Sequence, residues 1–274
     1  MKRALTIVLC TLLATAAQAT DQMRMAVTTS FHNSGLADVL LPAIRADLNL
    51  EVQLLVVGTG QALRLGRAGD VDAILVHSRA AEEAFVAEGF GTHRREIMYN
   101  DFVFVGPADD PAGIADATGA TETLQNIAAS RAAFVSRGDD SGTHKKERSL
   151  WRAAGQDADG FGPWYRAVGA GMGAALNTAS GLDAYILSDR ASWLNFGNKG
   201  GLALLFAGDP TLFNQYAFLP VNPARHAHVK SGLVTQLETW LTSDTAQVLI
   251  DSYTIDGEPL FVFNARPKPA VSSD

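Results

Sequence analysis

Between residues 23 and 89 one pattern recurs three times. An apolar run is followed by a few small donor-bearing residues, then by a segment with helical spacing. The first run, Met23-Arg24-Met25-Ala26-Val27, ends in Thr28-Thr29-Ser30. Leu36, Val39, Leu40, Ala43 and Ile44 then recur at helical intervals, with Asn33 or Ser34 placed as the N-cap. The second run, 52–57, ends in Gly58-Thr59-Gly60 and leads into a helix over 61–67. The third, 73–76, ends in His77-Ser78 and leads into a helix over 80–88, stopped at Gly89. Strands that alternate with helices call for a parallel sheet with helices on its faces, because each parallel connection must cross over the sheet. In such sheets ligands sit beyond the carboxyl ends of the strands. Thr28, Thr29, Ser30, Thr59, Gly60, His77 and Ser78 all fall at that edge. Any one of them alone reads as a turn or cap residue. Three sets in register point to a ligand.

The rest of the chain keeps the same style. Residues 98–107 read as a strand closed by Gly106-Pro107, and 105–110 as a passage into a second lobe. A helix is expected over 121–129. Residues 183–190 alternate like a strand or short helix ending in Asp189-Arg190. Residues 201–206 and 215–221 read as strands, the latter crossing back to the first lobe. Leu233, Leu237, Trp240 and Leu241 mark an amphipathic helix, and a second is expected over 245–252.

Residues 136–147, Ser-Arg-Gly-Asp-Asp-Ser-Gly-Thr-His-Lys-Lys-Glu, carry the strongest chemical signal. A strand end at Phe134-Val135-Ser136 runs into a helix start through a turn holding Arg137, Ser141, Gly142 and Thr143. A helix N-terminus bares N–H groups and the positive end of the dipole, so it attracts anions. Two hydroxyls add neutral donors and Arg137 adds a charged fork. An ordinary cap needs one hydroxyl and no arginine, so a tetrahedral oxyanion site is the better reading. The glycine cluster Gly171-Met172-Gly173 opens another helix and is expected to add backbone donors to the same anion. As a dinucleotide signal it is weak, because neither a preceding strand nor a ribose-binding acid is evident.

Charge and cysteine usage narrow the function further. The chain starts Met1-Lys2-Arg3, continues with an apolar run over 4–14, and reaches Ala17-Gln18-Ala19, the pattern of a signal peptide cleaved after Ala19. The run is too short for a permanent membrane anchor. The single cysteine, Cys10, lies inside this segment and too early for a lipoprotein, so the mature chain is expected to have no disulfide. Without Lys2 and Arg3, 20 basic residues face 29 acidic ones, a net charge of −9. That argues against nucleic acid and anionic membrane surfaces, and means that an anion must be held by local donors.

Taken together, these segments resemble the tungstate-binding proteins of bacterial tungstate ABC importers. The carriers are Val27-Thr28-Thr29-Ser30, residues 57–63, Leu75-Val76-His77, residues 98–102 with Val105-Gly106-Pro107, and residues 136–147; Gly171-Met172-Gly173 and Asp189-Arg190 add to them. The family's first motif reads Thr-Thr-Thr-Ser, and Val27 replaces its first position. The resemblance implies an α/β, two-lobed periplasmic solute-binding fold of type II. Each lobe would be a mostly parallel sheet flanked by helices, hinged by two crossing segments. It implies donors from the Thr28–Ser30 turn and from Arg137, and a tungstate (or molybdate) oxyanion delivered to an ABC permease and its ATPase. The expected divisions are a signal peptide over 1–19, lobe 1 over 20–105 and 217–265, lobe 2 over 106–216 and a loose tail over 266–274. A periplasmic monomer with no cofactor and no directly coordinated metal is expected. Another tetrahedral oxyanion (molybdate, phosphate or sulfate) and an oxyanion-sensing accessory role are the alternatives.

Tungstate and molybdate are bare dianions, so their site should offer donors only. Phosphate keeps a proton near neutrality and gains from a buried carboxylate that accepts it. Asp139 and Asp140 are therefore expected to point away from the ligand, orienting Arg137 or capping the helix. An enzyme using Asp139, Asp140 and His144 as metal or acid–base groups is disfavoured. No H-E-x-x-H spacing appears, and His77-Ser78 lacks a G-x-S-x-G elbow. His77 is expected to pack or to gate the ligand.

Overall fold

The computed structural model describes residues 20–265. The signal peptide and tail readings fall outside that range. Strands β1 (Asp21–Thr28), β2 (Leu50–Val57) and β3 (Ala73–Val76) are parallel, in the order β2-β1-β3. Their register sets Thr28 opposite Val57 and Val27 opposite Leu75, so the three donor-bearing ends share one edge. A one-turn helix α1 (Thr29–Asn33) intervenes before α2 (Leu36–Leu48). The expected caps are thereby displaced. Asn33 ends α1, Ser34 is its C-cap, and Gly35 in a left-handed conformation precedes α2. Helices α3 (Thr59–Ala68) and α4 (Arg79–Ala87) complete the repeats.

The next strand, β4 (Arg95–Pro107), is shared by both lobes. Its first half, through Asp101, pairs antiparallel with β9 (Phe213–Pro220). From Phe102 onward it pairs with β7 (Tyr185–Asp189) and β8 (Leu202–Phe206). The passage expected at 105–110 comes too late in the sequence, because Val105 already pairs with Ile186. Lobe 2 contains α5 (Ala120–Ser130), β5 (Phe134–Ser136), α6 (Gly142–Ala153), β6 (Tyr165–Ala167), α7 (Met172–Leu182), β7, α8 (Arg190–Asn195) and β8. Strands β5, β6 and β7 are parallel. The chain returns through β9, which lies antiparallel to β3, then forms α9 (Ser231–Leu241) and α10 (Asp244–Asp251). The sheet is mixed rather than mostly parallel, since β4 and β9 each run against their neighbours as they cross.

Period-two alternation in the strands builds a core on each sheet face. In lobe 1 Met25, Val27, Leu75 and Phe218 point to one face, while Ala26, Ile74, Val76 and Leu219 point to the other. In lobe 2 Phe102, Phe104, Phe134 and Leu187 oppose Val103, Val105, Val135 and Ile186. Both faces are apolar, so polar side chains collect at the strand ends. The carboxyl ends of the two parallel sets face each other across a cleft. Among the described residues no helix is long and apolar enough to cross a membrane.

Candidate functional site

On the lobe 1 side, Thr28 caps α1 by accepting the Phe31 N–H at 3.2 Å. Its hydroxyl lies 3.0 Å from Ser30 Oγ, which in turn lies 3.0 Å from His77 Nε2 and 3.3 Å from the Tyr216 hydroxyl. All four residues are buried. A hydroxyl donates once and accepts up to twice. If Thr28 and Tyr216 donate to Ser30 Oγ, Ser30 donates to His77 Nε2, and every proton in this chain is used. His77 then carries its own proton on Nδ1, a buried atom with no protein partner. Burial, reinforced by the charge of Arg137, holds the His77 pKa down to about 3, so the ring is neutral. Ser30 is thus at the site, but its hydroxyl is committed within lobe 1. Its backbone N–H, in the first helical turn, has no intrahelical acceptor. The Thr59 hydroxyl, at the start of α3, is buried and unpartnered.

On the lobe 2 side, Ser141 caps α6 by accepting the His144 N–H at 3.2 Å. The helix begins at Gly142, two residues before the expected start, which places Gly142 and Thr143 in its first turn. Arg137 follows β5 and is 3 % exposed. Its Nη2 donates to Asp139 Oδ2 at 2.5 Å and reaches across the cleft to Thr29 Oγ1 at 3.4 Å. Arg137 Nε and the Thr143 hydroxyl are buried without partners. Asp139 also accepts the Ser141 N–H at 3.2 Å, so both of its oxygens are occupied by the loop. Asp140 turns outward to Lys145 at 3.0 Å.

The two sides are in contact. A β-carbon on Gly142 would lie 2.6 Å from the His77 ring and 3.1 Å from Thr59 Oγ1, so only glycine permits this approach. Gly60 likewise borders the Asp140 carboxylate. A cleft of about 670 Å³ lined by His77, Arg79, Phe102, Gly142, Lys145 and Asn214 leads outward from this point. A second polar hollow, bordered by Arg24, Asp70, His228 and Lys230, contains none of these residues.

The glycine cluster sits at the start of α7, with Met172 and Gly173 in its first turn. Gly171 precedes α7, and the Met172 side chain is buried in the lobe 2 core, away from the site. The adjacent Ala170 N–H donates to the Arg137 carbonyl at 3.1 Å, so this loop backs the arginine. Behind Arg137, the buried Glu147 accepts from Ser136 Oγ at 2.6 Å, the Tyr165 hydroxyl at 2.6 Å and Trp151 Nε1 at 3.2 Å. Burial pushes its pKa up to about 7 against those three donors. The residues that sequence reading did not place at the site are Tyr216, Asn214 and Asp189, the last singled out only as part of the Asp189-Arg190 pair. Asp189 ends β7 as Thr28 ends β1, and the strand-edge rule applied to lobe 2 finds it.

Two lobes closing donor-rich helix starts onto one buried point define a solute-binding protein of the type that clamps a small anion. Residues 14–245 match the PBP superfamily domain. The chain is 43 % identical over 255 residues to the tungstate-binding protein TupA of Peptoclostridium acidaminophilum, covering 90 % of this chain and 87 % of that one. It is 33 % identical to the TupA of Campylobacter jejuni, covering 87 % and 90 %. The fold matches the tungstate-binding protein TupA from Desulfovibrio alaskensis with a TM-score of 0.79 at 42 % identity, covering 90 % of this chain and all of that one. It matches the crystal structure of the tungstate ABC transporter from Geobacter sulfurreducens with a TM-score of 0.80 at 47 % identity, covering 86 % and 100 %. The chain belongs to the TupA family of solute-binding proteins.

Proposed function

We propose that this protein captures tungstate in the periplasm and hands it to an ABC permease driven by its ATPase. The observation that carries this reading is the set of buried, unpartnered groups between the lobes: the Thr59 and Thr143 hydroxyls, Arg137 Nε and His77 Nδ1. Such groups are costly unless an acceptor meets them. A bare dianion offers acceptors on every side. Thr29, Ser30, Gly60, Ser141 and Gly142 would contribute through first-turn N–H groups or free hydroxyls, Thr28 by capping α1 and holding Ser30, and Gly171, Met172 and Gly173 through the loop that supports Arg137. In strand pairing the lobes divide as 20–101 with 213–265, and 102–212, and the protein acts as a monomer. The relatives' names speak for binding rather than turnover.

Titration calorimetry with tungstate, molybdate, sulfate and phosphate in turn tests the reading. Tight tungstate binding with weak phosphate binding is expected. Tight phosphate binding without tungstate binding would sink it. One observation favours that second reading: Asp189 Oδ2 is a buried acceptor without a donor, suited to a proton carried by hydrogen phosphate.

A further inference from the structure

Asp189, like Glu147 behind Arg137, is a buried carboxylate near the anion cleft with no direct ion pair, but unlike Glu147 it has an oxygen that no donor meets. It is fully buried, and Oδ1 accepts the Ser192 N–H at 2.8 Å as the cap of α8. Oδ2 is buried and has no partner. The Ser192 hydroxyl, one turn on, helps to keep the carboxyl acidic, but no hydroxyl meets Oδ2 in hydrogen-bonding geometry. Asp189 pairs in the sheet with Phe102, whose ring lies 6.1 Å from that of His77 and lines the cleft.

The charges around Asp189 come from every neighbouring element. The loop after β5 supplies Arg137 and Asp139, already paired with each other. The end of β3 supplies neutral His77, and β9 supplies Tyr216, whose hydroxyl is made less acidic by burial and by Asp189. Arg190 is held by Asp101 at 2.6 Å. With Asp189 ionised, Arg137 faces two carboxylates, so the inner part of the site is net negative, while Arg79, Lys145 and Lys146 line the cleft that leads outward from it. Adding a dianion would bury three net negative charges together, which a low-dielectric cleft opposes strongly. Burial already pushes the Asp189 pKa upward, although Arg137 opposes the shift.

We infer that Asp189 takes up a proton when a fully deprotonated dianion enters the cleft, so that its Oδ2–H becomes a donor to the ligand. The proton comes from buffer, and the acceptor that would repel tungstate becomes part of its donor shell. Hydrogen phosphate, which brings its own proton, would bind without this uptake. The inference rests on the tungstate reading and deepens it by naming the residue that reconciles a carboxylate with a donor-only ligand shell.

The test is calorimetric titration of tungstate into the full mature chain in buffers of different ionisation enthalpy, between about pH 6.5 and 9. Wild-type protein should take up about one proton per tungstate, and its affinity should weaken by up to roughly tenfold per pH unit across the uptake window. Asp189→Asn keeps an N-cap acceptor and should bind tungstate with no uptake and a flat pH profile. Tungstate heat that does not depend on buffer in wild-type protein at any of these pH values would overturn the inference while leaving the function standing. So would uptake that persists in Asp189→Asn, which would move the proton to His77 or elsewhere. No tungstate heat at all would instead remove the proposed function.

Discussion

The two halves of the cleft hold their donors by opposite means. Lobe 1 presents neutral groups locked to one another: Thr28, Ser30, His77 and Tyr216 form one hydrogen-bonded chain within a single lobe. Lobe 2 presents a charge held in balance, with Arg137 pinned by Asp139 and Asp189 left uncompensated nearby. A network of neutral groups is rigid and insensitive to pH, because none of its members titrates near neutrality. A balanced set of charges can change its net charge when a ligand arrives. The difference assigns shape to lobe 1 and charge response to lobe 2. It also predicts that substitutions in lobe 2 should cost affinity, whereas those in lobe 1 should cost stability as well.

The largest effect should come from Arg137→Ala. It removes the buried charged donor that reaches across the cleft and leaves Asp139 without its partner. A loss of at least about 3 kcal/mol of tungstate binding is expected, roughly a hundredfold in Kd by calorimetry. Arg137→Lys should recover part of this, because the charge returns without the fork. Unchanged affinity in Arg137→Ala would end the description of lobe 2 as the charged half.

Gly142→Ala should come next, since it attacks the contact between the halves. The new methyl would sit 2.6 Å from the buried His77 ring, and closure would require the lobes to part. A cost of about 1–3 kcal/mol in affinity is expected, with little change in the melting temperature of the ligand-free protein. Scattering should show a ligand-induced contraction smaller than in wild type. An equal contraction would mean that the ring yields instead.

How far the sequence revealed all this depended on distance along the chain. The three lobe 1 units were legible because each strand, donor turn and helix is local. The Arg137 turn was legible because a cap signal and an arginine sit within six residues. Tyr216 was hidden, since its hydroxyl meets Ser30 across 186 positions and only the return of β9 brings them together. The switch of β4 between lobes was misplaced because the strand runs on past its one polar interruption, Asn100-Asp101, to Gly106-Pro107, and the turn-forming pair reads as the boundary although the pairing changes at Asp101.

A smaller effect separates two buried groups that titrate in opposite senses. His77 resists protonation in the folded state, so it contributes stability above its unfolded pKa of 6.5 that is lost as pH falls toward about 3. Glu147 holds its proton in the folded state, so its contribution is present below its unfolded pKa of 4.5 and is lost as pH rises to about 7. Between these values the two slopes oppose each other. Glu147→Gln should therefore steepen the rise of melting temperature with pH below neutrality, and the stability of the variant relative to wild type should grow until about pH 7 and then level off. A constant difference across that range would show that the Glu147 carboxyl is ionised throughout.

The smallest effects compare the two caps directly. Thr28 and Ser141 each accept one N–H at a helix start, at 3.2 Å in both cases. As caps alone, either change to alanine costs about 1 kcal/mol of stability. Thr28 also feeds Ser30 and so supports His77. Thr28→Ala should thus lower the melting temperature of the ligand-free protein more than Ser141→Ala does, and Thr28→Ser should restore it. Among the described residues Ser141 Oγ has no second partner for its proton, so its hydroxyl is available to the anion. Ser141→Ala should add to the cap loss about a further 1 kcal/mol in tungstate affinity, visible by calorimetry. If the two variants shift stability and affinity in equal proportion, the division of labour between a rigid neutral half and a responsive charged half is wrong, because both caps would then be doing the same job.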